Sequence, residues 1–216
     1  KFRIKTVGSP QLDELSDINN SKKKKIIFEE LNIEKIKKYL LIVYHPVTEE
    51  FYHTKKNFEI FFDSLKQLNL PKIWILPNND AGSNIIKSNI IKYRRNDTFV
   101  FDNINREKYL YVLKYASCIV GNSSSGIIEA PTFKVPCVNI GRRQHKRLKT
   151  KNVINILAYN ESKIVLAIRK ALSKKFRLTL NNLKNPYGDG KSSNKIVNCL
   201  LNTKIDKKLF YKEITY

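Results

Sequence analysis

Apolar positions along this chain fall into two rhythms. Short unbroken runs at 39–44, 72–76, 98–101, 117–120, 136–140 and 154–156 are rich in Ile, Val, Leu and aromatics. Runs of that length and branching predict strands, with those at 39–44, 72–76 and 117–120 buried on both faces as in a parallel sheet. Between them lie stretches with helical spacing. Residues 54–68 carry Phe58, Phe61, Phe62, Leu65 and Leu68, and 106–115 carry Tyr109, Leu110, Val112 and Leu113. Residues 161–173 carry Ile164, Val165, Ile168 and Leu172, with shorter helices predicted at 85–93 and 192–201. Alternating strand and helix predicts an α/β fold with a doubly wound parallel sheet. The ends read differently. Residues 2–7 alternate like a strand, 11–15 like a helix start or turn, 16–25 like a mobile polar loop, and 26–38 like a mixed helix. Residues 204–216 read as a charged tail.

Ligands in such sheets bind outside the strand C-terminal ends. His45, the loop 78–83, Asn103, Ser123, Ser124, Ser125 and the pair Arg142-Arg143 all fall there. The densest chemistry is at 120–147. A strand turns through Gly121-Asn122 into three serines, Gly126, an apolar pair and Glu129. Such a turn leaves backbone N–H groups free at the start of a helix, which with serine hydroxyls suits a phosphate. Glu129, about a turn and a half on, suits sugar hydroxyls, and Arg143 adds a charge-assisted donor from the next strand's end. An ordinary helix cap with solvated arginines accounts for the same pattern.

Charge changes this picture little. The formal net charge is +22, which suggests an anionic partner. The lysines are spread evenly beside Asn and Ile, with only Lys22 to Lys25 forming a run, so a nucleic-acid partner is not expected. Cys118, Cys137 and Cys199 are far apart, have no metal-ligand spacing and read as reduced thiols, which favours a cytoplasmic setting. No run of 18 apolar residues predicts a membrane helix. The chain opens on lysine and contains no Met, and we read it as part of something longer. Among single residues, His45 before Pro46 at a strand end is a candidate. His53 and His145 read as surface, Asp80 and Asp189 as helix caps, and Trp74 as core.

In order along the chain stand Gly8-Ser9-Pro10, Tyr44-His45-Pro46-Val47-Thr48, Pro77-Asn78-Asn79-Asp80-Ala81-Gly82-Ser83, residues 121–131, Asn139-Ile140-Gly141 with Arg143-Gln144, and residues 185–190. This ordered set resembles the UDP-N-acetylglucosamine 2-epimerases. The turn Asn-Ser-Ser-Ser-Gly with one glutamate resembles the hydrolysing branch, against Asp-Ser-Gly-Gly and a double glutamate in the other. The resemblance implies a GT-B enzyme of two Rossmann-like domains, this chain being the C-terminal, nucleotide-holding one. It implies that His45 lies near the diphosphate and sugar as a catalytic residue. Ser123 and Ser124 hold the diphosphate, Ser125 and Gly126 belong to the UDP-binding set, Glu129 takes the ribose, Arg143 helps bind the nucleotide, and the uracil rests against the segment from Asn103 to Tyr109. The implied reaction is anti elimination of UDP from UDP-N-acetylglucosamine and then hydration, for sialic-acid-type sugars, with a UDP-2,4-diacetamido sugar as the alternative substrate. It needs no cofactor or metal. The catalytic carboxylates belong to the N-terminal domain, so the isolated chain is expected to be inactive. A homo-oligomer is expected. Here His145-Lys146-Arg147 stands where the family has a glycine, which predicts a different local turn.

Overall fold

The structure, a computed structural model, describes residues 4–211. Six strands, β1 (Leu40–Val43), β2 (Lys72–Ile75), β3 (Thr98–Phe101), β4 (Cys118–Gly121), β5 (Cys137–Ile140) and β6 (Val153–Ile156), form one sheet in the order β3-β2-β1-β4-β5-β6. Every pairing is parallel. This is the doubly wound order of a Rossmann-like domain. Its direction of winding reverses between β1 and β4, where such sheets open a crevice.

Alternation within each strand sorts the core into two layers. Leu40, Ile42, Trp74, Val120, Val138 and Ile140 face one side, under α2 (Thr54–Lys66), α3 (Ser83–Tyr93) and α6 (Glu161–Leu172). Leu41, Val43, Ile73, Ile119 and Cys137 face the other, under α1 (Ser21–Glu30), α4 (Arg106–Tyr115) and a leading 3₁₀ helix (Pro10–Asp17). The chain closes with α5 (Ser125–Ile128), α7 (Lys174–Leu178), α8 (Ser192–Leu201) and α9 (Lys207–Phe210) among these elements and after them. At the reversal the two central strands approach closely. A Cβ on Gly121 would stand 2.1 Å from the Val43 carbonyl oxygen, and its φ of +141° also favours glycine. Gly126 allows α5 to lie against β5, since a Cβ there would stand 2.5 Å from Cys137 Sγ.

The first part of the chain departs from expectation. Residues 4–9 form no strand, and Phe2 lies outside the described residues. The segment 16–25, expected to be a mobile loop, holds the end of the 3₁₀ helix and the first half of α1. Asn20 caps α1 by accepting from the Lys23 N–H at 3.1 Å, and Ile27 and Phe28 are buried beneath it. The basic run is absorbed locally: Lys23 pairs with Glu107, Lys24 lies over the Tyr115 ring and Lys25 pairs with Glu29. The helix expected through Lys38 stops at Glu30, because Asn32 adopts a left-handed φ of 54° and returns Ile33 to the core. The tail contains α9, with Asp206 as its cap. Asp80 does not cap α3: that position is Gly82, and only the Asp80 backbone oxygen bonds Ser83. The α8 entry is capped from afar by Asp13, which accepts from the Ser192 and Ser193 N–H groups at 2.9 and 2.6 Å. Asp189 instead bonds the Lys191 N–H and Lys195.

Candidate functional site

The crevice between β1 and β4 is braced by one side chain. Asn122, fully buried, accepts from the His45 N–H at 2.7 Å and donates to the His45 carbonyl at 2.7 Å. Its own backbone N–H bonds Val43, and its carbonyl accepts from Gln144 Nε2 at 3.0 Å and Arg143 at 3.3 Å. One asparagine therefore ties the ends of β1 and β4 to the turn after β5. An aspartate there could not donate to the His45 carbonyl.

His45 is 7% exposed. Its Nδ1 accepts from the Asn78 N–H at 3.4 Å, so the neutral ring carries its proton on Nε2. Burial, and then the positive charge of Arg143, pull its pKa down to about 4, against a smaller opposing effect of Asp80. At neutral pH it is an uncharged donor.

Two hollows open at this end of the sheet. One, of about 800 Å³, is lined by His45, Asn78, Asn103, Arg106, Tyr109, Ser123, Ser124, Ser125 and Glu129. The other, of about 740 Å³, is lined by Thr48, Glu50, Asp80, Ser124, Arg142, Arg143 and His145. Ser124 borders both. Among the described residues the N–H groups of Ser123, Ser124 and Gly126 have no acceptor, while the Ser124 carbonyl already receives Ile127 and Ile128. The Ser125 N–H leans on Ser123 Oγ at 3.3 Å. Tyr109 donates to Ser125 Oγ at 2.6 Å, and burial followed by the charge of Glu129 raises its pKa, so it remains a donor. A turn with three unspent amides, hydroxyls and a nearby arginine can hold a diphosphate.

The sequence-predicted residues therefore meet, with two changes. Arg143 lines the second hollow, not the first, and donates to the Asn122 carbonyl at 3.3 Å. Glu129 does not stand free: it is buried, and Arg106 donates to its Oε1 at 2.7 Å. Arg106, Asn122 and Gln144 were missed. Position Arg106, first in α4 and on the strand-end side of the sheet, was the available signal. Among the residues set aside, His53 and His145 are exposed and Trp74 is core. Cys118 and Cys137 are buried free thiols and Cys199 is half-buried and free. Lys146, in place of the family's glycine, has no positive φ, so this turn forms without one.

A family model described as UDP-N-acetylglucosamine 2-epimerase matches residues 1–201. The chain is 36% identical over 210 residues to the Campylobacter jejuni protein named GDP/UDP-N,N'-diacetylbacillosamine 2-epimerase (hydrolyzing), covering 95% of this chain and 53% of that one. It is 31% identical over 208 residues to the Legionella pneumophila UDP-N,N'-diacetylbacillosamine 2-epimerase (hydrolyzing), again covering 95% and 53%. The chain thus spans about half the length of these relatives. A structure of the Neisseria meningitidis UDP-GlcNAc 2-epimerase bound to UDP-GlcNAc superposes with a TM-score of 0.74 at 17% identity. It covers 91% of this chain and 55% of that one, a likeness of fold.

Proposed function

The chain belongs to the UDP-N-acetylglucosamine 2-epimerase family, and we propose that it is the C-terminal, UDP-holding domain of a hydrolysing member. The observation that carries the proposal is the meeting, at the β1–β4 reversal, of the unspent Ser123 and Ser124 amides with His45 and Glu129 around one cleft. In the proposed reaction a base takes the C2 proton of a UDP-2-acetamido sugar while the C1–O bond breaks anti to it. UDP leaves with the electron pair of that bond, forming a 2-acetamidoglycal. Water then adds across the double bond, giving the free 2-epimeric amino sugar and UDP.

This domain serves the leaving group. Negative charge grows on the diphosphate as the C1–O bond breaks, and the amides, the serine hydroxyls and Arg143 are placed to receive it. His45 donates through Nε2–H without needing to titrate. Asn103 and Tyr109 form the wall proposed for the uracil, and Glu129 takes the ribose. The proton transfers at C2 require carboxylates with tuned pKa values, which we assign to the partner domain, so this chain alone is inactive. The names of the relatives, which act on diacetylated amino-sugar nucleotides, support the hydrolysing branch. The reading carries with it a cytoplasmic homo-oligomer supplying sialic-acid-type sugars.

The test is UDP release by the full-length protein from UDP-N-acetylglucosamine and from UDP-N,N'-diacetylbacillosamine, with the sugar product followed by NMR in D₂O. The expected result is stoichiometric UDP and free 2-epimeric sugar carrying deuterium at C2. Epimerised sugar still attached to UDP, or no turnover of either compound, would overturn the proposal.

A further inference from the structure

The guanidinium of Arg106 has three partners on two sides of the cleft. Nε donates to Glu14 Oε2 at 3.1 Å and Nη2 to the Gln11 carbonyl at 2.7 Å, both on the leading 3₁₀ helix. Nη1 donates to Glu129 Oε1 at 2.7 Å. The Glu129 side chain is 6% exposed, whereas that of Arg106 is 41% exposed. Among the described residues Glu129 Oε2 receives no donor, and Glu129 lines the cleft. A carboxylate pinned through one oxygen cannot turn freely, and it presents the other oxygen in one direction. Planar arginine suits this task because its fork meets several acceptors at once, which an ammonium on a flexible stem does not.

We propose that Arg106 is a positioning residue for nucleotide recognition: it pins Glu129 so that the free oxygen accepts from the ribose hydroxyls, and so makes the site select ribonucleotides over 2′-deoxyribonucleotides. The inference rests on the UDP-holding reading and adds to it a residue and a selectivity. Selection follows because a buried acceptor left without its hydroxyl loses a charge-assisted hydrogen bond and remains desolvated. A guanidinium that only stapled the 3₁₀ helix to α4 would affect both nucleotides alike.

The test compares UDP with 2′-deoxy-UDP by titration calorimetry on the full-length protein, with melting temperature as the check on folding. The wild-type protein should prefer UDP by about tenfold or more, the effect of one hydrogen bond to a charged group. Arg106→Ala should bring the two affinities within about twofold, mainly by weakening UDP. Arg106→Lys keeps the charge but not the fork and should retain an intermediate preference. If Arg106→Ala does not fold, the lysine variant and Glu14→Ala, which removes one of the three partners, carry the test. Both should lower the UDP preference measurably. An unchanged ratio in these variants, or equal weakening of both nucleotides, overturns the inference. A wild-type protein that binds both nucleotides equally also overturns it, but leaves the UDP reading standing. A wild-type protein that binds UDP no better than ADP removes the reading itself.

Discussion

The two ends of the sheet carry hollows of similar size and opposite meaning. At the strand N-terminal end a hollow of about 830 Å³ is lined by Lys37, Lys38, Lys134, Lys174 and Arg177, with Tyr115 and Phe133 beside them. At the C-terminal end the cleft is about 800 Å³ and holds far fewer cations. Size and charge alone would favour the first. What separates them is how the polar groups are held. In the C-terminal cleft His45 is fixed by Asn122 and Asn78, Glu129 by Arg106, and Ser125 by Tyr109. In the other, Arg177 donates to the Ser117 carbonyl at 3.0 Å, and the lysines stand on flexible stems. Preorganised groups lower the cost of ordering a ligand, whereas a scatter of lysines supplies a diffuse, salt-screened attraction.

The comparison can be broken most severely at the closure of the cleft end. Gly121→Ala forces a Cβ into the Val43 carbonyl with no flexible neighbour to yield. The expected loss exceeds about 5 kcal/mol, seen as absence of a cooperative melting transition. Next is Asn122→Ala, which leaves the buried N–H and C=O of His45 unpaired. A loss of about 4 kcal/mol is expected, together with weakened UDP binding. A denaturant midpoint within error of wild type would contradict the brace. His45 sharpens the contrast through pH. Its folded pKa of about 4 lies below the ordinary 6.5, so the unfolded chain binds more protons between those values. Stability is therefore full above about pH 6.5 and falls as pH drops toward 4, by on the order of 3 kcal/mol. Denaturant titrations across that range should show this slope reduced in His45→Gln. At the opposite end, Lys174→Ala should shift UDP affinity by less than about twofold, the effect expected of an exposed charge.

Legibility in the sequence followed the same division. Strands buried on both faces could be read from apolar runs, and residues 98–101, 106–115 and 192–201 form their elements within the predicted bounds. His45, the three serines, Asn103 and Glu129 line the cleft and could be picked out because strand-end turns have local signatures, whereas Tyr109, inside α4, came only from the ordered family pattern. What was illegible depends on distant partners. The run Lys22 to Lys25 looks like solvated loop until Glu107 and the Tyr115 ring are brought beside it. Asp13 caps α8 from 179 residues away, and Arg106 meets Gln11 and Glu14 from 95 and 92. Asn32 adopts its left-handed conformation with no glycine to announce it.

The most direct measurement is titration calorimetry of the full-length protein with UDP at low and moderate salt. It should compare wild type, the double variant Ser123→Ala/Ser124→Ala and the double variant Lys134→Ala/Lys174→Ala. A preorganised site predicts that the serine pair weakens UDP binding by about tenfold, since two neutral hydrogen-bonding hydroxyls are lost. It also predicts that the lysine pair leaves binding unchanged and that moderate salt has a small effect. Binding that survives in the serine variant, falls in the lysine variant and disappears with salt would place the nucleotide at the wrong end of the sheet and contradict the account.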